Sequence, residues 1–218
     1  FCTRGGSVPP FGDTLFTAVS ASCVTGLVVR DTATHWSPFG QLVILILIQV
    51  GGLGVITVAL TFFRLWGRRI SLAQRNMMQQ SISAPQVGGI IRRMGFLLKG
   101  SICIELGGAV LLAPVFIRDF GLAKGLWYSL FHSISAFCNA GFDLMGVREK
   151  YSSLSSCADN ALVNLVIMTL IVVGGIGSFL GDFFFYPAPM FVSLVTHGLQ
   201  AVVISLISHK LWQKRQAL

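Results

Sequence analysis

The chain has 218 residues, 54% of them hydrophobic and only 11% charged, with a mean hydropathy of +0.76 and a formal net charge of +8. Soluble domains carry about 25% charged residues, so this composition excludes an ordinary water-exposed globule. Lipid has to cover much of the surface, and the excess positive charge has to sit where a bilayer tolerates it.

In chain order, the first apolar piece is residues 13–22. It makes about three helical turns, too few to cross about 30 Å of hydrocarbon. It runs into Ser20-Ala-Ser-Cys-Val-Thr-Gly-Leu-Val28, small, polar and flexible residues that favour neither a stable helix nor a strand. Residues 42–63 form the first full span, interrupted only by Gln49 and two threonines. Residues 64–99 follow with Arg64, Arg68, Arg69, Arg75, Arg92, Arg93 and Lys99 and no Asp or Glu. Lys and Arg collect in cytoplasmic loops, so the pattern places this segment inside the cell. Charge alone also fits a nucleic-acid patch, but no aromatic or motif context accompanies it.

Residues 95–117 form a second span, with Lys99 near one end and Glu105 inside. Residues 161–180 form a third, and residues 190–212 a weaker fourth. Between the second and third lies another short apolar piece, residues 125–137, ending in Ser135-Ala-Phe-Cys-Asn-Ala-Gly-Phe-Asp143. A half-crossing helix followed by irregular backbone must line a cavity or be buried in protein, because lipid cannot satisfy bare backbone groups.

The two short pieces expose an internal repeat. Thr14-Leu-Phe-Thr-Ala-Val-Ser-Ala-Ser-Cys-Val-Thr-Gly26 aligns without gaps to Ser129-Leu-Phe-His-Ser-Ile-Ser-Ala-Phe-Cys-Asn-Ala-Gly141, an offset of 115 (141 − 26). Gly51-Gly-Leu-Gly54 matches Gly174-Gly-Ile-Gly177 at an offset of 123 (174 − 51). Two motifs in the same order predict a duplicated module: outer helix, short pore helix, extended loop, inner helix. With the basic segment inside, both re-entrant loops open to the outside. The flanking charges of mixed sign (Arg30, Asp31, Arg118, Asp119, Lys124, Asp143, Arg148, Glu149, Lys150, Asp159) agree with an outer face.

A glycine in such a loop takes φ > 0, which other residues adopt only at a cost. Alternating geometry of that kind points successive carbonyl oxygens the same way. A ring of such oxygens can replace the water around a dehydrated cation, and the short helix ahead aims its partially negative end at the same place. Ala21, Ser22 and Ala136 are small enough to let loops approach closely.

At these residues the resemblance becomes specific. The two loop sequences, with Asp31-Thr-Ala-Thr-His-Trp36 and Gln49-Val-Gly-Gly-Leu-Gly54, resemble the Trk/Ktr/HKT superfamily of potassium transporters, and within it the Ktr membrane subunit, KtrB, over about residues 12–180. The resemblance implies an all-α transmembrane fold with four such modules around one pseudo-fourfold pore. It implies one filter strand per module, here Cys23, Val24, Thr25 and Gly26, then Cys138, Asn139, Ala140 and Gly141. It further implies a homodimer in the plasma membrane of a bacterium, seated on a cytosolic nucleotide-binding ring of the KtrA/TrkA type. Potassium would be the transported substrate and sodium an activator, with no organic cofactor; the residues themselves, without a Gly-rich phosphate loop or a Ser/His/Asp set, predict no enzymatic step and no nucleic acid partner.

The expected organisation is a first pore module lacking its outer helix (1–63), a basic cytoplasmic linker (64–94), a second module (95–181), and a linker with the start of a third (182–218). The chain starts at Phe1 without Met and carries two filter loops where the family has four, which reads as a partial sequence or an unusual half-length member. Three functions stay open: potassium translocation, passage of another monovalent cation such as sodium, and a non-conducting membrane subunit.

Other residues carry a sharp and a bland reading. The five cysteines (Cys2, Cys23, Cys103, Cys138, Cys157) are odd in number and lack metal-like pairing, and Cys103 in an apolar run reads as a small core residue. The four histidines (His35, His132, His197, His209) lack the HExxH spacing of a zinc site. His132 on the pore helix reads as packing, whereas Asn139, aligned with Val24, is better placed to tune ion coordination. Gly51, Gly52, Gly54, Gly174, Gly175 and Gly177 suit close helix packing better than a hinge. Glu105 either has a role in transport or bonds to a neighbouring helix or Lys99.

Overall fold

The computed structural model describes residues 2–4, 9–54 and 90–183. The chain divides into two compact units, Phe1–Gly175 and Ile176–Leu218, and the core and the site belong to the first. The later part of the 42–63 span, the 64–89 segment and the 190–212 span lie outside the described residues.

Six α-helices account for most of the described chain: α1 (Phe11–Ser22), α2 (Thr32–His35), α3 (Pro38–Leu53), α4 (Ile90–Phe120), α5 (Leu122–Phe137) and α6 (Ala161–Phe183). Two 3-10 turns, Met145–Val147 and Ser153–Cys157, interrupt the segment between α5 and α6. Among the described residues there is no β-strand, only an isolated bridge from Thr3 to Trp36. The fold is helical, in agreement with an all-α membrane protein.

Local chemistry explains the boundaries. Asp13 in the first turn of α1 faces the positive end of that helix. Asp31 caps α2 by accepting from Thr34 N. Ser37 caps α3 by accepting from Gly40 N, with Pro38 at the first position, where its missing N–H costs nothing. Helix α3 begins four residues before the expected span and stops at Leu53, where Gly54 turns to φ 82°. Gly121 at φ 80° is the whole connection between α4 and α5. Asn160 Oδ1 accepts from Leu162 N and Val163 N at the start of α6.

Helix α4 packs along α5, α1 along α3, and α3 against α5. Ile48, Leu112, Phe116 and Phe131 of these helices are buried in one core with Phe142, Leu144 and Met145 of the segment after α5 and Val163 of α6. The stretch Leu98–Phe120 of α4 is long and apolar enough to cross a membrane, while Pro38–Leu53 and Ala161–Gly175 are shorter apolar helices. Their outward faces are apolar too: Ile102, Leu106, Val110 and Leu111 on α4 and Leu165, Met168 and Val172 on α6 are exposed. Cys103 lies on that exposed side of α4, not in the core where its sequence context put it. Core and lipid select the same apolar residues, so an apolar run does not say which of them a cysteine meets.

Candidate functional site

The loops that leave α1 and α5 are built alike. After α1, Cys23 N donates to Val19 O (2.8 Å), Val24 N to Ala21 O (3.3 Å) and Thr25 N to Ser20 O (3.0 Å). After α5, Cys138 N donates to Ile134 O (2.9 Å), Asn139 N to Ala136 O (3.0 Å) and Ala140 N to Ser135 O (2.8 Å). The serine hydroxyls repeat as well: Ser20 Oγ donates to Leu27 O at 2.7 Å and Ser135 Oγ to Phe142 O at 2.6 Å. Each bond in the second set sits 115 positions after its counterpart, the offset of the sequence repeat.

Backbone dihedrals match too. Val24 (φ 55°) and Gly26 (72°) occupy the left-handed region in the first loop, Asn139 (56°) and Gly141 (71°) in the second. Glycine enters that region freely and asparagine tolerates it, but a β-branched valine there is strained. Such strain persists only where the surroundings impose it, which is common at functional sites. The sequence pointed to a positive φ at the two glycines and gave no signal for one at Val24.

Glycines also let the pieces touch. A β-carbon on Gly26 would lie 2.7 Å from Ala140 O, and one on Gly141 3.3 Å from Gly26 Cα, so the two loops meet at their glycines. On the helix side, a β-carbon on Gly51 would overlap Ser22 O, and one on Gly174 would overlap Phe137 O. Ser22 and Phe137 are the last residues of α1 and α5, so each glycine of the pair seats a short helix against a long one. Close packing is therefore what Gly51 and Gly174 provide.

Buried polar groups fasten the site from behind. His132, stacked on Phe116 at 5.2 Å, lies 2.7 Å through Nδ1 from Tyr128 O and accepts from Leu144 N through Nε2 at 3.2 Å. It ties α5 to the segment beyond the loop, which is a packing role. Gln41 faces the carbonyls of Thr32, Ala33 and Trp36 with Nε2 and accepts from Trp127 Nε1 at 3.0 Å. Glu105 receives Gln49 Nε2 at 2.9 Å on both oxygens, so its partner is the neighbouring helix α3 and not Lys99, which is exposed. Asn139, exposed, sends its side-chain nitrogen toward Ile171 O of α6 at 3.4 Å.

Beyond the loops, Asp31 accepts from Thr34 Oγ1 at 2.8 Å and from Tyr151 N at 3.3 Å, and Tyr151 Oη donates to Val29 O at 3.3 Å. Asp143 accepts from Met145 N at 2.9 Å. Burial pushes its carboxyl above the ordinary range, against the pull of the Met145 N–H, and the nearby Asp31 charge pushes the same way.

Residues 3–185 match the family described as TrkH, cation transport protein. That is most of the chain. The chain belongs to the TrkH cation transport family. Among curated TrkH-like relatives, it is 42% identical over 177 residues to the potassium/sodium uptake protein NtpJ of Enterococcus hirae, covering 81% of this chain and 38% of that protein. It is 45% identical over 165 residues to Ktr system potassium uptake protein B of Bacillus subtilis, covering 76% and 36%. A protein of the same name from Vibrio alginolyticus is 34% identical over 171 residues, covering 78% and 36%. The chain thus spans a little over a third of the length of these relatives. Residues 168–218 also match the S component of ECF-type riboflavin transporters, mostly outside the described residues. A TrkH protein is a membrane cation transporter, so the composition, the apolar helix faces and the family agree.

Proposed function

We propose that this chain forms part of a potassium-uptake pore, with Cys23, Val24, Thr25 and Gly26 as one filter strand and Cys138, Asn139, Ala140 and Gly141 as another. The observation that carries the reading is the repeated loop geometry: paired left-handed residues at 55° and 72°, then at 56° and 71°, after helices that end alike. Alternation of left-handed and ordinary backbone turns successive carbonyls toward one side, the arrangement that replaces a potassium ion's hydration shell. The C-terminal ends of α1 and α5 add their partial negative charge at that place.

In this reading each short helix, loop and following long helix is one pore module, residues 1–63 and 95–181, joined by the basic linker 64–94 on the cytoplasmic side, with 182–218 leading to a third. The filter loops face outside, and the protein sits as a homodimer in a bacterial plasma membrane, on a cytosolic nucleotide-binding ring. Sodium acts as an activator or, in the second reading, as a transported ion, which the name of the Enterococcus relative favours. The experiment is ion flux in liposomes, with potassium, rubidium and sodium compared side by side. Potassium and rubidium should pass well ahead of sodium, and Gly26→Ser and Gly141→Ser should each lose that order more than they lose total flux. Sodium passing equally in the parent protein favours the second reading, and no flux of any ion identifies a non-conducting subunit.

A further inference from the structure

A hydrogen-bonded chain runs behind the second loop. Cys138, which follows α5 and opens the loop, donates its thiol to Gln49 Oε1 of α3 at 3.7 Å. Gln49 Nε2 donates in turn to both carboxylate oxygens of Glu105 on α4, each at 2.9 Å. Glu105 is only 3% exposed, inside the stretch of α4 that is long enough to cross a membrane. Its backbone oxygen accepts from Ser133 Oγ of α5 at 2.6 Å. One turn after Gln49, a β-carbon on Gly52 would lie 2.5 Å from Cys138 Sγ, so α3 grips this cysteine at two points. Among the described residues no Lys, Arg or His pairs with Glu105; the two ion pairs there are Arg30–Asp13 and Arg148–Asp119.

An ionisable group within the membrane is expensive and usually has a role. A carboxylate only accepts hydrogen bonds, so it fixes the Gln49 amide with nitrogen toward α4 and oxygen toward the loop. That oxygen is what the weakly donating thiol can use. The first loop is built otherwise. Cys23, the matching cysteine, is exposed.

We propose that Glu105, acting through Gln49, is a positioning residue that holds Cys138 and thereby fixes the second loop for ion discrimination. The proposal rests on the filter reading above, and it is tested by a measurement that needs no transport. The full chain, reconstituted in liposomes, is treated with a methanethiosulfonate reagent, and modification at Cys138 is followed by peptide-resolved mass spectrometry. Glu105→Gln lets the Gln49 amide turn over, and Gln49→Leu removes it. Each should speed modification of Cys138 by about twofold to tenfold, the scale of one neutral hydrogen bond, while Cys23 keeps its rate. The double variant should be no faster than either single one, because both act along one chain. In flux measurements the same variants should lower the rubidium-over-sodium ratio with total flux less affected. If Glu105→Gln does not accumulate in the membrane, Gln49→Asn, which keeps the amide but shortens its reach, carries the same readings. An unchanged Cys138 rate in the folded variants overturns the proposal, as does a double variant whose effect is the product of the singles. A parent protein without flux overturns the filter reading alone, since the Cys138 rate still decides whether Glu105 holds the loop.

Discussion

Val24 and Asn139 occupy one position in two loops, at φ 55° and 56°, yet only asparagine has a side chain suited to that backbone. Replacing Val24 with the residue its counterpart already has removes strain of about 1 kcal/mol or more. Val24→Asn should therefore raise the unfolding temperature in detergent, and a fall would mean that the valine side chain contributes packing worth more than the strain. His132 poses the opposite case. In His132→Phe the ring stacking on Phe116 survives, but Leu144 N loses its acceptor in a buried place, at a cost of about 1–3 kcal/mol. Chemical denaturation should show that loss with helix content unchanged. Asp143 gives a pH signature. Its folded carboxyl titrates above the unfolded value of about 3.9, so the native state binds its proton more tightly. The stability this group contributes is then lost as pH rises from the unfolded value through the raised one. Asparagine cannot ionise, so Asp143→Asn should match the parent in acid and exceed it in unfolding temperature near neutral pH. At this scale the sequence was informative where chemistry leaves one option: Gly26 and Gly141 stood out because glycine alone enters the left-handed region freely. Val24 did not, because strain imposed by surroundings has no mark in the residue that bears it.

Between elements, clearance decides which substitutions a helix accepts. Gly107 and Gly108 are neighbours on α4, yet nothing lies within 4 Å of a β-carbon on Gly107, whereas one on Gly108 would fall 2.5 Å from Ser133 Oγ and 2.7 Å from Leu170 Cδ1. Gly107→Ala should stabilise by roughly 0.5–1 kcal/mol through helix propensity, and Gly108→Ala should destabilise by about 1–3 kcal/mol through overpacking. Unfolding midpoints of the two variants, measured side by side, check both signs. The short helices were legible as elements, since residues 13–22 and 125–137 became α1 and α5 with only two or three residues added at their starts. Half-length apolar segments followed by small residues leave few alternatives. The partner of Glu105 was harder to read. Gln49 lies 56 positions away along the chain and Lys99 only six, and local spacing favours the near cation until the side-chain bond from α3 to α4 is known.

At the scale of the molecule, the sidedness rests on charge placement and is open to labelling. With the other cysteines replaced, a cysteine at Ser71 should react with an impermeant reagent only from the cytoplasmic side, and one at exposed Lys150 only from outside. Reaction of both from one side would undo the re-entrant arrangement. The repeat was legible at this scale because its two motifs keep their order, although the number of residues between them differs by eight (123 − 115). The eight extra residues fall between Gly141 and Gly174, well past the joint at Gly121. One residue turns the chain from α4 into α5, which leaves no slack, so an added residue there would rotate the whole short helix and carry its loop off register. The arch from Asp143 to Asn160 has only 3-10 turns and exposed serines. Insertions and deletions accepted over evolutionary time should therefore collect in the arch and be absent from the corner. An epitope placed between Ser155 and Ser156 should leave the unfolding temperature in detergent unchanged, while a single alanine added after Gly121 should lower it.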